Sequence, residues 1–279
     1  MTDQITKARL FRDLHCKGDP LILPNAWDRG SARMLAGLGF EAIATTSAGF
    51  AFSQGTRDWV GVTSRKTALA HAADLVAAVD LPVSADLEDG FGPDPETVAE
   101  TVRLAAEAGL VGCTIEDVTG EPDAPIFPFD QALARIEAAV AAARALPFPF
   151  TLTARAENFL HGRPDIDDTI SRLQAFEAAG ADCLYAPGLP DLDAIRAVTG
   201  ALEKPVNVVI GIRPRGLSVG DLAAAGVARV SLGSSLARRA YGALIAAGEE
   251  ILGPGTFAEA EKGAPFARIE ALLKAGGTL

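Results

Sequence analysis

Short apolar runs alternate with longer amphipathic segments along this chain of 279 residues. Between the runs, apolar residues recur at helical spacing, for example over Thr97 to Ala108, Gln131 to Leu146, Asp168 to Ala179 and Asp191 to Leu202. The runs themselves predict eight strands: Leu21 to Pro24, Ala42 to Thr46, Val83 to Asp86, Gly112 to Glu116, Thr151 to Arg155, Cys183 to Ala186, Val206 to Val209 and Arg229 to Leu232. Strands and helices that alternate in this way predict parallel strand pairing.

The spacing of the strands favours a closed barrel. Their first residues are about 20 to 40 positions apart, which is roughly one strand and one helix per unit, and eight such units close a barrel. We therefore predict an α/β fold: a single (β/α)₈ TIM barrel domain over residues 1–279, with an N-terminal helix over 3–16 and an additional C-terminal helix over 257–275. A doubly wound sheet is the alternative, but no Gly-x-Gly-x-x-Gly motif follows the first strand.

Composition narrows the class of protein. Hydrophobic residues make up 49% of the chain, enough for a large core. The 36 acidic residues outnumber the 25 Lys and Arg, giving a net charge of −11, so nucleic acid is not an expected partner. The N-terminus is polar and no stretch predicts a membrane-spanning helix, so we expect a soluble, cytoplasmic protein. The 3 cysteines lack CxxC spacing, which argues against disulfides and structural zinc.

Acidic residues follow several predicted strands, at the barrel end where functional groups of this fold lie. Asp86 and Glu88 follow the third strand, and Glu116 ends the fourth. Carboxylates that converge in one pocket repel one another unless a cation offsets their charge. We predict that these three acids bind Mg²⁺, with Mn²⁺ as a possible substitute. The alternative is that they cap helices or lie in turns, as Asp89 before Gly90 illustrates.

Other candidates are less distinctive. Arg155, at the end of the fifth strand, pairs with the acids or clamps an anionic substrate. The hydroxyl and glycine run that ends the second strand, Thr45 to Gly49, either presents donors to an anion or forms an ordinary turn. Trp27 either lines the bottom of the pocket or packs under the barrel rim. Asp28 is equally well explained as a helix N-cap. His161 is expected to be a solvated loop residue.

Taken in order, the motifs are N-A-W-D, T-T-S-A-G, D-L-E-D-G-F-G, C-T-I-E-D and A-R-A-E-N. This series resembles the isocitrate lyase and phosphoenolpyruvate mutase superfamily over roughly residues 20–245. The resemblance implies a (β/α)₈ barrel, Mg²⁺, and small 2-oxo or 2-hydroxy acids whose bonds break or form next to an enolate. It also implies homodimers or homotetramers that exchange the eighth helix, here about Ser234 to Gly248, with residues of about 234–279 involved in assembly.

The resemblance also assigns roles to individual positions. It makes Asp86 the direct metal ligand, Glu88 and Glu116 the acids that hold metal-bound water, and Arg155 the substrate-binding arginine. The run Ser47, Ala48 and Gly49 matches the loop that grips the substrate carboxylate or phosphoryl group, and Asp58 matches an acid near the reacting centre. Glu116 is also a catalytic candidate. The remaining candidates for substrate contact are Trp27, Glu157 and Asn207.

One segment departs from the family pattern. Lyases of the superfamily carry a K-K-C-G-H-type segment after the fourth strand and phosphonopyruvate-forming mutases a K-T-N-S-type segment, whereas this chain has V-T-G-E-P-D-A-P-I-F-P-F. The expected function is Mg²⁺-dependent cleavage of a C–C bond in an oxaloacetate-type or methylisocitrate-type acid, because decarboxylation does not need the missing loop cysteine. The alternatives are a phosphonopyruvate or carboxyphosphonoenolpyruvate mutase or hydrolase, and a protein that binds a 2-oxo acid without turnover.

Overall fold

The computed structural model describes residues 3–213 and 215–277. Every strand pairing in its one sheet is parallel, and the order is β1-β9-β8-β7-β6-β5-β4-β3-β2. The strands are β1 (Leu21–Leu23), β2 (Asn25–Ala26), β3 (Ile43–Thr45), β4 (Val83–Asp86), β5 (Gly112–Glu116), β6 (Thr151–Arg155), β7 (Cys183–Tyr185), β8 (Val206–Val209) and β9 (Arg229–Ser231). The α/β barrel predicted from the alternation is confirmed.

The first strand, predicted over Leu21 to Pro24, ends at Leu23, and a second short strand follows Pro24. Strand β1 pairs with β9, and β2 pairs with β3. Proline has no backbone N–H to donate, which interrupts a ladder. Its carbonyl oxygen still accepts a hydrogen bond from the Ala44 amide at 2.9 Å. Because β1 and β2 follow one another in the chain, they connect the two ends of the sheet and bring it to eightfold closure.

Helices surround the sheet. They are α1 (Gln4–Asp13), α2 (Arg29–Gly37), α3 (Ser47–Ser53), α4 (Arg65–Ala78), α5 (Pro95–Glu107), α6 (Phe129–Arg144), α7 (Ile166–Ala179), α8 (Leu192–Gly200), α9 (Val219–Ala224), α10 (Ser235–Leu252) and α11 (Phe266–Ala275). Asp28 is the N-cap of α2 and forms a capping box with Ser31, so its helix-cap interpretation is confirmed. Helix α10 is the eighth helix of the barrel.

The C-terminal helix predicted over 257–275 is shorter than expected. A single 3₁₀ turn occupies Ala260–Lys262, and α11 begins only at Phe266, after Pro265. Proline disfavours helical conformation in the residue before it, so the pattern cannot continue as one helix across this position.

The two ends of the barrel differ. At the amino ends of the strands, Ala8 and Phe11 of α1 join Leu21, Leu23 and Val111 in a buried apolar cluster. Helix α1 therefore covers this end, and the carboxyl ends of the strands are left to form the site. No helix within the described ranges is long and apolar enough to span a membrane.

Candidate active site

A cavity of about 650 Å³ opens at the carboxyl ends of the strands. Most of the predicted site residues line it together: Ser47, Ala48, Asp58, Asp86, Glu88, Glu116, Arg155, Glu157 and Asn207. They come from five different strands or the segments that follow them. Parallel strands bring their carboxyl ends to one rim, which explains how residues far apart in sequence meet here.

Arg155 is the centre of the charged cluster. Its Nη1 lies 2.6 Å from Oε1 of Glu116 and 3.2 Å from Oδ1 of Asp86, and its Nε lies 2.7 Å from Oε1 of Glu157. The guanidinium also stands 4.8 Å from the centre of the Tyr185 ring. Register places Arg155 directly beside Glu116 on β5 and Tyr185 on β7. Nη2 has no hydrogen-bond partner among the described residues, so this donor is available to an anionic ligand.

Asp86 is held in a network of donors at the end of β4. Its Oδ2 accepts hydrogen bonds from the amide and hydroxyl of Ser47 at 3.2 and 2.9 Å. Its Oδ1 accepts from the Thr114 hydroxyl at 3.3 Å in addition to Arg155. The Thr45 hydroxyl accepts from the Asp86 amide. These contacts fix the direction of the carboxylate, and Arg155 is its cationic partner among the described residues.

Glu88 has an unusual backbone. Its φ is +49°, in the left-handed region that residues other than glycine rarely adopt. The carbonyl oxygen of Glu88 accepts from the Glu116 amide at 2.9 Å, which ties this bend to the end of β5. Burial, together with the charges of Asp86 and Asp58, raises the pKa of Glu88 to about 8. Strained backbone of this kind persists where the surroundings fix it, and it occurs often at functional sites.

The other acids of the cavity are also shifted toward their protonated forms. Burial raises the pKa of Glu116 well above its usual range, although Arg155 opposes this shift. Burial likewise raises the pKa of Glu157 to about 7. Burial and the charge of Asp86 raise the pKa of Asp58. The cavity thus holds more carboxyl groups than Arg155 alone can keep ionised, and an additional cation would favour their carboxylate forms.

Whether these acids fit Mg²⁺ depends on how many must bind it directly. Within the described residues no three Asp, Glu, His or Cys side chains are grouped closely enough to ligate one ion together. Mg²⁺, however, is often held by one or two carboxylates and keeps several of its waters. A site with Asp86 as direct ligand, and with Glu88 and Glu116 holding water, is consistent with this donor set and with the crowding of its carboxyl groups.

Two arginines that sequence reasoning missed support the acidic segments. Arg135 of α6 donates to the carbonyl oxygens of Glu116 and Asp89, and so holds the ends of β5 and β4. Arg172 of α7 donates to Oδ2 of Asp117 at 3.1 Å. The available signal was a lone arginine on an otherwise apolar helix face, since Arg135 is three residues after buried Ala132 and four before buried Ala139.

Acids that follow the strands are not all site residues. Asp117 is 2% exposed, and its Oδ1 accepts the amide of Glu157 at 2.8 Å, so it positions the backbone. Asp89 accepts the amide of Phe91 at 2.9 Å, which confirms its turn interpretation.

Gly49 and Trp27, which the sequence predicts for substrate contact, are not among the described residues that line the cavity. The amide of Gly49 donates to the Thr46 hydroxyl at 3.2 Å as part of the N-cap of α3. A Cβ at Gly49 would lie 2.6 Å from Cγ2 of Thr46 and 2.9 Å from Cβ of Trp27. Glycine is therefore required here because these segments pack closely, and the Cβ of Trp27 belongs to the same packing.

Asn207 lines the cavity, but its side-chain amide is already hydrogen-bonded to neighbouring residues. Its Nδ2 donates to the Ser231 hydroxyl at 2.9 Å, and its Oδ1 accepts from Nε of Arg229 at 2.9 Å. Asn25 has a comparable role, because its Oδ1 accepts from the amides of Leu232 and Gly233. Both asparagines connect neighbouring strands below the charged cluster.

His161 lies in the cavity wall and not in free solvent, which corrects its interpretation from sequence. Its Nε2 is 3.9 Å from Oε2 of Glu157, four residues earlier in the chain. Burial and the charge of Arg155 lower the pKa of the imidazole. Only the tertiary structure shows this placement, since the segment after β6 turns back over the barrel mouth.

The segment after β5 forms an ordered turn at the mouth. Val118 and Ile126 form an antiparallel bridge, and the Thr119 amide donates to the carbonyl oxygen of Pro125 at 2.9 Å. Among the described residues that line the cavity, none is Lys or Cys. Cys113 is completely buried in the core and burial raises its pKa, so this thiol takes no part in the site.

The fold and site define a (β/α)₈ barrel whose mouth combines one arginine with several buried carboxylates. The family model described as phosphoenolpyruvate phosphomutase matches residues 11–252. The chain therefore belongs to the phosphoenolpyruvate phosphomutase family, within the isocitrate lyase and phosphoenolpyruvate mutase superfamily that its motifs resemble.

Individual relatives cover most of the barrel. A solved structure from Burkholderia cenocepacia J2315, described as a candidate lyase/mutase, is 58% identical, with a TM-score of 0.92 over 96% of this chain and 95% of that chain. The oxaloacetate decarboxylase of Paraburkholderia xenovorans is 32% identical over 72% of this chain and 68% of its own. A phosphonopyruvate hydrolase in complex with oxalate and Mg²⁺ is 25% identical, with a TM-score of 0.83 over 96% and 94% of the two chains.

Proposed function

We propose that this protein is a Mg²⁺-dependent carbon–carbon lyase that acts on a 2-oxo or 2-hydroxy dicarboxylate of the oxaloacetate type. The observation that carries the proposal is the position of Arg155 among Asp86, Glu116 and Glu157 in one cavity. This arrangement combines an anion-binding donor with acids suited to a hard cation. The similarity to an oxaloacetate decarboxylase supports the same reaction class.

The residues of the cavity would hold the two ends of the acid differently. Arg155 offers its Nη2 to a substrate carboxylate, because its other nitrogens already contact Glu116, Asp86 and Glu157. Ser47 and Ala48 lie at the start of α3 beside Asp86 and line the same wall. These contacts would orient the bond to be broken relative to the acid cluster.

The reaction would need stabilisation of negative charge on a substrate oxygen. When bound by Asp86, with water held by Glu88 and Glu116, Mg²⁺ (or Mn²⁺) would supply this electrophilic stabilisation. In oxaloacetate the C3–C4 bond breaks, CO₂ leaves, and the electron pair remains on C3 as the enolate of pyruvate. The positive charge of Arg155 would oppose the charge that develops on the substrate.

The enolate must then gain one proton at C3 to give pyruvate. Glu157 has a pKa raised to about 7 and retains a proton on a substantial fraction of molecules at neutral pH. Its neighbour His161 is half-buried and lies on the side of the cavity nearer solvent. We propose that this pair restores the proton, in place of the loop cysteine that the family's lyases carry.

A phosphonopyruvate-type substrate is the second candidate. The similarity to a phosphonopyruvate hydrolase that binds oxalate and Mg²⁺ favours it. The same Arg155 donor and the same acids would bind phosphonopyruvate, because phosphonopyruvate and oxaloacetate share the 2-oxo acid portion. A phosphonate group also accepts hydrogen bonds from a guanidinium. Binding of a 2-oxo acid without turnover is the remaining alternative, and it predicts ligand stabilisation without product.

The proposal also covers the oligomeric state of the protein and its location in the cell. We propose a homodimer or homotetramer with exchange of α10, because Leu244 and Leu252 of this helix are 67% and 90% exposed. Cytoplasmic location stays a prediction from the sequence.

The decisive experiment follows the products by ¹H NMR. Purified protein is incubated with oxaloacetate, methylisocitrate or phosphonopyruvate, each with Mg²⁺ and with chelator. Pyruvate formed from oxaloacetate faster than without enzyme, and lost on chelation, is the expected result. Product only from phosphonopyruvate would replace the first candidate by the second, and stabilisation by ligand without any product would support the binding protein.

A further inference from the structure

Tyr185 is a largely buried residue of the cavity, beside Arg155. It ends β7, and its register partners are Arg155 on β6 and Asn207 on β8. The residue is 6% exposed and lines the cavity. Residues in register on neighbouring parallel strands point to the same face of the sheet, so Tyr185 and Arg155 stand side by side inside the barrel.

The hydroxyl group of Tyr185 makes no hydrogen bond to any of the described residues. Buried tyrosine hydroxyls usually have a partner. Among the described side chains, the polar atoms that are both enclosed and without a partner are Nε of Arg135 and Oδ1 of Asn158. Oη of Tyr185 also lacks a partner but is not one of them. It is therefore not enclosed, and it faces the open space of the cavity.

Acceptors are present near this hydroxyl, so their absence does not explain the missing hydrogen bond. The charges of Glu157, Asp86 and Glu116 all act on the phenol group, yet none of these carboxyl groups accepts a hydrogen bond from it. Burial is the main reason that the pKa of Tyr185 is raised. The phenol therefore keeps its proton at neutral pH and remains a neutral hydrogen-bond donor.

A second open donor belongs to the neighbouring side chain. Nη2 of Arg155 has no hydrogen-bond partner among the described residues, whereas Nη1 and Nε contact the acids of the cavity. The guanidinium carbon lies 4.8 Å from the centre of the Tyr185 ring. Contact between a planar cation and a rigid aromatic ring fixes the two side chains relative to each other. One charged and one neutral donor are thus held next to one another on adjacent strands.

Two such donors suit a single carboxylate. Its two oxygens accept several hydrogen bonds, so a guanidinium and a phenol can share it. The phenol contributes its hydrogen bond without a positive charge, so the nearby acids do not form ion pairs with it as they do with Arg155. A hydrogen bond from a neutral donor to a carboxylate is charge-assisted and stronger than one between two neutral groups.

We propose that Tyr185 is a substrate-binding residue whose hydroxyl donates a hydrogen bond to the same substrate carboxylate that Nη2 of Arg155 binds. This inference rests on the proposed function, because that function places a 2-oxo or 2-hydroxy acid at Arg155. The hydroxyl then contributes to specificity. A ligand without this carboxylate leaves buried donors unpaired, and sites built on such donors discriminate strongly against it.

Removing the hydroxyl alone tests the contact. Tyr185→Phe keeps the ring beside Arg155, and because the hydroxyl has no protein partner, the variant should unfold at the wild-type temperature or above. The probe is oxalate, and its affinity for the full chain in Mg²⁺ buffer is measured by isothermal titration calorimetry. We expect the Kd to rise about 10- to 100-fold, the usual effect of losing one hydrogen bond to a charged group.

Tyr241→Phe is the matched control. Tyr241 of α10 is the other of the 2 tyrosines in the chain. Its ring meets that of Phe52 edge-on, and it is not among the described residues that line the cavity. This variant should bind oxalate with the wild-type Kd.

A spectroscopic measurement separates direct contact from an effect through Arg155. Protein labelled with 3-fluorotyrosine gives a ¹⁹F resonance for each tyrosine, and the Tyr185→Phe and Tyr241→Phe variants assign them. Adding oxalate to the protein in Mg²⁺ buffer should shift the resonance of Tyr185 and leave that of Tyr241 in place.

The outcomes separate this inference from the proposed function. If wild-type protein binds oxalate and Tyr185→Phe binds it equally well, the inference is wrong, whereas the carboxylate site at Arg155 stands. A higher Kd without a shift of the Tyr185 resonance would also overturn it, because the hydroxyl would then act only through Arg155. If wild-type protein does not bind oxalate, the carboxylate site fails and the inference fails with it.

Discussion

Nη1 of Arg155 lies 2.6 Å from Oε1 of Glu116, its neighbour on the adjacent strand, and both side chains are largely buried. The same nitrogen contacts Asp86. One guanidinium thus holds several acids of the candidate active site, and we expect the stability of the protein to depend on it.

Arg155→Gln removes this cation and leaves Asp86, Glu116 and Glu157 without a charged partner. Breaking a buried ion pair from one side typically costs about 3–5 kcal/mol, so we expect a loss of this order in the free energy of unfolding, together with loss of turnover. Urea unfolding in chelator measures the first effect. Arg144→Gln is the control, since its pair with Asp182 is partly exposed and should cost less than about 1 kcal/mol. Equal losses in the two variants would contradict the assigned role of Arg155.

Asp86→Asn should abolish the response to Mg²⁺. If Asp86 is the direct ligand, wild-type protein gains about 1–3 kcal/mol of stability at Mg²⁺ concentrations well above the Kd, and the variant gains almost none. The melting temperature with and without Mg²⁺ measures this. Glu107→Gln, an exposed substitution on α5, should respond as wild type. A full Mg²⁺ response in Asp86→Asn would disprove the ligand assignment.

Glu157 makes stability depend on pH. Its pKa is raised from 4.5 to about 7, chiefly by burial, so the folded state binds the proton more tightly than the unfolded state. This contribution is complete below about pH 4.5 and is lost as the pH rises through about 7. We expect the stability of Glu157→Gln relative to wild type to improve between pH 5 and 8, by at most about 3 kcal/mol.

Chemical unfolding of both proteins across this pH range, in chelator, provides the measurement. The titratable groups that face Glu157 include Arg155, His161, Asp117, Asp86, Glu116 and Tyr185. His161→Gln serves as the control for titration of the neighbouring imidazole. A stability difference that does not change with pH would mean that Glu157 is not protonated in the folded protein at neutral pH.

Gly49→Ala tests whether this glycine serves packing. The new methyl group would meet Thr46, Trp27 and Ala237, so we expect destabilisation by about 1–3 kcal/mol. Gly200→Ala is the matched control on α8, where a Cβ meets no atom within 4 Å. It should be neutral or stabilising by up to about 1 kcal/mol, because alanine lowers the entropy of the unfolded chain. Thermal unfolding of both variants decides between these expectations.

The exposed apolar residues of the C-terminal segment predict assembly. Leu252 and Phe266 are 90% and 86% exposed, and an interface would bury them. Leu252→Ser combined with Phe266→Ser should lower the molar mass measured by light scattering after size exclusion, with the circular dichroism spectrum retained. Leu10→Ser, on α1, should not change it. An unchanged oligomer in the double variant would place the interface elsewhere.

Much of the barrel was predictable because local patterns determine it. The strands at Val83–Asp86, Gly112–Glu116, Thr151–Arg155 and Val206–Val209 lie where the apolar runs predict them, since buried parallel strands require continuous apolar residues. The location of Asp86, Glu116 and Arg155 at one rim follows from the same pattern, because every parallel strand ends at the same edge.

Other features depend on contacts between residues distant in sequence. The T-T-S-A-G run cannot show that Gly49 is needed for packing against Trp27 and Ala237, since those neighbours lie on other segments. The position of His161 in the cavity wall, the support from Arg135, and the contact of the Tyr185 ring with Arg155 have the same origin. The sequence by itself determined the barrel and the acids at its rim, because periodicity and strand polarity are local properties. Only the tertiary structure decided which side chains share the cavity and how their charges and pKa values are coupled, because burial and distance arise when the loops fold over the strand ends.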